Sequence, residues 1–169
     1  MKMGILFFMA TLILGWIFQA LFLYGVPAGL PTPQWLLLAV LALGAQGRTT
    51  LAMSVGFLWG LALDAYGVSA FGVQGWLLAL AGYLSGSVSK NLNAEKWGTQ
   101  ETLTLVATAG LWVGILLLSG FFDHSLIGRP GVGLALAHMG LNALVAPGVF
   151  WGMALWGNLW GLRSGNSNA

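Results

Sequence analysis

The sequence predicts an all-α integral membrane protein, a compact bundle of six transmembrane helices. Three observations carry this reading: the scarcity of charge, the six apolar runs, and the one-sided placement of the basic residues. Of the 169 residues, 58% are hydrophobic and only 6% are charged. A soluble domain carries charge on roughly a quarter of its residues. Six Lys and Arg with four Asp and Glu are too few to solvate a globular surface, and the mean hydropathy of +0.86 agrees.

The apolar runs fall at about 4–24, 34–46, 49–66, 71–89, 101–122 and 131–160, where a crossing helix needs about 20 residues. The first run follows a single Lys and resembles a signal peptide. It is long, however, and no small-residue cleavage site follows it, so it reads as a retained span. The second opens after GVPAGLPTP, whose prolines cannot continue a helix. It reaches only about 20 Å at ~1.5 Å per residue, the length of a re-entrant segment, and the charge pattern makes it a span. The third follows GAQGRT. The fourth ends at KNLNAEKWGTQ, the densest charge in the chain. The sixth follows DHSLIGRPG, where Pro130 suits the first turn of a helix.

With six spans, Lys2, Arg48, Lys90, Lys96 and Arg163 share one side and Arg129 alone faces the other. This is the bias of a cytoplasmic face, so both termini are expected there. Trp97, Trp156 and Trp160 fall toward the inner boundary; Tyr24, Trp35 and Tyr66 fall toward the outer one, as aromatic belts do. The expected organisation is one six-helix transmembrane domain over 1–162 and a short polar cytoplasmic tail over 163–169.

Several functions are excluded or left without residues. The basic side chains are scattered, not clustered as phosphate binding needs, so nucleic acid is not a partner. With no cysteine there is no disulfide or thiolate chemistry, and His124 and His138 alone do not supply a metal site. The GVGLA stretch at 131 lacks the strand context of a dinucleotide fingerprint. No nucleophile motif or paired-carboxylate site is visible, so no catalytic, cofactor-binding or metal residue is assigned.

Two kinds of residue stand out. Glycines recur in GxxxG spacing at Gly56/Gly60, Gly82/Gly86, Gly110/Gly114, Gly148/Gly152 and Gly157/Gly161. The spacing lets helix backbones approach closely, either inside the bundle or against a partner's helix. The other kind is polar. Gly56, Gly60 and Asp64 follow at i, i+4 and i+8 and share one side of the third helix. A carboxylate there turns to protein, not lipid. It caps or ties neighbouring helix ends, shapes a partner interface, or handles ions or protons, and the first reading is the simplest. His138 and Asn142 lie one turn apart on the sixth helix, and an Asp64–His138 contact is conceivable. An enzyme using these two residues would lack a third group to activate them.

In order along the chain, several landmarks resemble the rod shape-determining protein MreD family. Pro33-Gln34-Trp35 with its following leucines resembles the opening of that family's second span, and Arg48 lies where a basic residue often sits. Gly56-Phe57-x-x-Gly60-x-x-x-Asp64, followed by Gly72 and Tyr83, is similar to the family's G-F-x-x-G-x-x-x-D segment. Asn142-x-x-x-x-Pro147-x-x-Phe150 resembles its N-x-x-x-x-P-x-x-F ending. Gln34 departs from the pattern, since many relatives carry an acid there.

The resemblance implies a non-enzymatic member of the bacterial elongation machinery in the inner membrane. It implies an MreC-like single-span partner, a RodA-type glycosyltransferase and a class B penicillin-binding protein, with MreB in the wider complex. Gly56, Gly60, Asp64, Gly72, His138, Asn142 and Pro147 become the candidates for helix packing or partner contact. The family is also similar in fold to the S components of energy-coupling-factor transporters, so a vitamin-binding subunit is the alternative. Those proteins often carry A-x-x-x-A in the first span, and this sequence has none.

Overall fold

The computed structural model describes residues 2–27, 30–65, 71–90, 96–121 and 132–161. Six helices follow the six apolar runs: α1 (Lys2–Gly25), α2 (Trp35–Ala45), α3 (Thr49–Ala65), α4 (Val73–Val88), α5 (Trp97–Phe121) and α6 (Val132–Leu159). No strand occurs among the described residues. Tyr66, His124, Arg129, Pro130, Arg163 and the 163–169 tail lie outside them.

The lengths divide the helices into two groups. Three stretches are long and apolar enough to cross a membrane: Gly4–Phe22, Trp97–Leu118 and Val132–Leu159. α3 and α4 have 17 and 16 residues, about 25 Å each at ~1.5 Å per residue. α2 has 11 residues, about 16 Å by the same rise. A helix that is apolar all round belongs in the interior, and every residue of α2 from Leu36 to Ala45 is buried.

The other five helices surround α2, and each of them packs on it. Around this axis α1 meets α3, α3 meets α4, α4 meets α5 and α5 meets α6. α6 and α1 do not pack backbone to backbone, so the ring is open between them. Leu37, Leu38 and Leu41 of α2 join Leu78, Leu111 and Phe150 in one apolar cluster. Val40 and Leu43 join Phe7, Val55 and Trp59 in a second. Ser85 Oγ donates to the Leu41 carbonyl at 2.6 Å and ties α4 to the central helix.

One end of the bundle is marked by Arg48, in the turn between α2 and α3. Its guanidinium lies 5.2 Å from the centre of the Phe7 ring, a cation–π distance. It also rests where a Cβ on Gly157 would stand, 3.0 Å from Nη2. The start of α1, the α2–α3 turn and the end of α6 therefore meet at one level. Burial lowers the Arg48 pKa from its ordinary value, but a guanidinium stays protonated in proteins. Trp156 and Trp160 gather on Phe7 at the same end, with ring centroids 6.3 and 6.1 Å away.

Candidate functional site

The α3–α4 hairpin is built on absent side chains. A Cβ on Gly56 would stand 2.7 Å from the Leu78 carbonyl oxygen, and one on Gly60 would overlap the backbone of Gln74 and Gly75. From the other helix, a Cβ on Gly82 would meet the Ala52 backbone at 2.8 Å, and one on Gly86 would overlap Thr49. The two helices thus touch backbone to backbone from Ala52 to Gly60, and the Thr49 side chain fills the place beside Gly86. The seam ends at Asp64, only 4% exposed.

The Asp64 carboxylate accepts from the backbone N–H of Gly72 at 2.9 Å, of Gln74 at 3.1 Å and of Gly75 at 3.2 Å. These are the open donors at the start of α4, which no intrahelical carbonyl reaches. The N-cap residue, Gly72, has no side chain to serve them, and its φ of +96° is one that glycine adopts without strain. Asp64 therefore caps the next helix from across the turn. Its negative charge also faces the positive end of the α4 dipole.

Asn142 is fully buried and joins three helices. Its Oδ1 accepts from the Gln34 backbone N–H at 2.8 Å, while its Nδ2 donates to Gln34 Oε1 at 3.0 Å and to Thr108 Oγ1 at 3.1 Å. The start of α2 is thereby pinned to the middle of α5 and α6. One turn along α6, His138 turns to α5. Its Nδ1–H donates to the Leu134 carbonyl at 2.8 Å, since that carbonyl can only accept, and its ring lies 5.8 Å from that of Trp112. Asp64 turns to α4 instead. Pro147 sits inside α6, where it removes one hydrogen bond to the carbonyl four residues back.

The open side of the ring is a cleft between α1 and α6 with a volume of about 670 Å³. Ala39 and Trp35 form its floor, Trp59 closes one side, and Gly148 and Gly152 line the α6 wall. At the Arg48 end it is shut by a bridge, in which Trp156 Nε1 donates to Thr11 Oγ1 at 3.1 Å. Trp59 Nε1 donates to the Leu12 carbonyl at 3.0 Å, and Gly15 leaves room for the indole. Apart from the α6 backbone and adjacent residues, no atom lies within 4 Å of a Cβ placed on Gly148 or Gly152.

Sequence reasoning missed Thr108, Trp59 and Thr11. A threonine or tryptophan in an apolar run gives no signal of its partner. The one available hint was Asn142, whose amide must find partners inside a membrane.

A buried central helix, a glycine-seamed hairpin and an apolar cleft define a helical membrane-type bundle. The chain belongs to the MreD family: the family described as rod shape-determining protein MreD matches residues 1–162. A search of curated proteins and a search of solved structures return no match. The family places the protein in rod shape determination.

Proposed function

We propose that this protein is a non-enzymatic scaffold of the bacterial elongation complex. It seats the membrane helix of an MreC-like single-span protein and so helps to position peptidoglycan synthesis along the rod. A RodA-type glycosyltransferase, a class B penicillin-binding protein and MreB complete the wider assembly. The chain acts as one domain in the inner membrane, with all six helices crossing and both termini cytoplasmic.

The observation that carries this reading is the cleft between α1 and α6. Helix axes pack 8–10 Å apart, and about six such cylinders close around one; α2 has five neighbours. The missing position is the α1–α6 cleft, which Trp59 and Trp156 line. Along the α3–α4 seam, Gly56, Gly60 and Gly82 are filled by the facing backbone. Gly148 and Gly152 present the same spacing to open space, which suits the close approach of a further helix. The lining includes no charged side chain, so the occupant is an apolar segment.

The transporter S-component reading has less behind it. A vitamin site needs several polar groups converging on a pocket. Asp64 and Asn142 already hold partners within the bundle.

Gentle detergent purification of the tagged protein, with mass spectrometry of what accompanies it, tests the proposal. A single-span MreC-like protein is expected. Gly148→Leu and Gly152→Leu should reduce its recovery at least tenfold while leaving the monomer folded. Recovery of two ATPases and a coupling membrane subunit would overturn the scaffold reading.

A further inference from the structure

The helices on opposite sides of the bundle differ in length. α3 and α4 have 17 and 16 residues, whereas α5 and α6 have 25 and 28. At ~1.5 Å per residue these are about 25 Å against about 40 Å. The hydrocarbon core of a typical bilayer is ~30 Å thick. One side of the molecule is therefore short of the bilayer by roughly 5 Å and the other is not.

The short side has no means of lengthening. Its two helices are locked in register at both ends, by Gly86 against Thr49 at one and by Asp64 on the amides of Gly72, Gln74 and Gly75 at the other. Sliding one helix past the other would drive Cα and carbonyl atoms of the seam into each other. Tilting would shorten the projected span further. The face turned away from α2 is apolar, with Phe57, Leu58, Trp76, Leu80, Tyr83 and Leu84 exposed. The exposed Lys90 bounds it at one end, and the α3–α4 turn, where Asp64 caps α4, bounds it at the other. Lipid chains standing against this face must match its height or leave polar backbone ends in hydrocarbon.

We propose that the outer face of the α3–α4 hairpin is a lipid-binding surface selective for a thin bilayer, and that it thins the membrane on that side alone. A rigid apolar face shorter than the bilayer draws in shorter chains, at fractions of a kcal/mol per Å of mismatch. The long α5–α6 side imposes no such demand, so the two sides of one molecule stand in bilayer of different thickness. The proposal concerns the hairpin and holds whether or not a partner occupies the cleft.

The chain has no cysteine, so a single one can carry a fluorophore at either face. Leu80→Cys reports from α4 and Leu117→Cys from α5; both positions are exposed. Each labelled protein is reconstituted into phosphatidylcholine vesicles mixing chains of 14, 18 and 22 carbons (about the range of natural lipids), with one species brominated as quencher. At Leu80 the 14-carbon lipid should be enriched over the 22-carbon lipid by about three- to fivefold; at Leu117 the preference should vanish or reverse. The same chain-length dependence at both positions would overturn the proposal. Leu84→Cys on the same face replaces Leu80→Cys if the latter does not fold.

Discussion

Asp64 caps a helix to which it does not belong. Three backbone donors of α4 rest on one carboxylate, so Asp64→Ala leaves them buried without a charged acceptor. We expect a loss of about 2 kcal/mol in stability, read as thermal unfolding in detergent, with Asp64→Asn losing clearly less because one acceptor oxygen remains. Equal loss in the two variants would contradict the capping role. Asn142→Leu removes the clamp on Gln34 and Thr108 and should cost about 1–3 kcal/mol, the penalty of stranding buried polar groups. At this scale the sequence was half legible. The i, i+4, i+8 spacing placed Gly56, Gly60 and Asp64 on one helix side. It did not name the amides that Asp64 meets, because those depend on the left-handed Gly72 and on the return of the chain. Nor did it link Asn142 to Gln34, which lies 108 residues away.

The helices themselves were more legible. Apolar runs bounded by proline, glycine and charge map onto all six, because those breakers act locally. Which helices are long enough to cross was less so: a run of apolar residues does not report where the helix within it stops, and α2 is shorter than its run. The glycine pairs show a further limit. Gly56/Gly60, Gly82/Gly86 and Gly148/Gly152 are alike in sequence, yet the first two are filled by a neighbouring helix and the third faces open space. Two glycines one turn apart state how near a helix can come and not which helix does. Substitution separates the cases. Gly60→Ala forces its methyl into the α4 backbone and should destabilise by about 1–3 kcal/mol, as overpacked cores do. Gly110→Ala has open space and should be neutral or stabilise by up to ~1 kcal/mol through helix propensity. Unfolding of the two variants in the same detergent measures the difference.

At the scale of the molecule, five helices enclose a sixth and leave one gap. The proposed function joins rod shape determination, which the family gives, to a physical role, that of holding another membrane helix in a fixed place. The proposed orientation rests on the placement of Lys2, Arg48, Lys90, Lys96 and Arg163 along the sequence, so a C-terminal reporter should be active only when it reads the cytoplasm; periplasmic activity would break the proposed six-crossing topology. The central claim is that the partner's helix lies in the α1–α6 cleft. The most direct measurement is cysteine cross-linking in native membranes, pairing Val145→Cys in the cleft or Leu117→Cys on the far face of α5 with single cysteines along the MreC-like transmembrane segment. The account predicts disulfides at Val145, repeating at helical spacing along the partner, and none at Leu117. Cross-links at Leu117 without any at Val145 would contradict it.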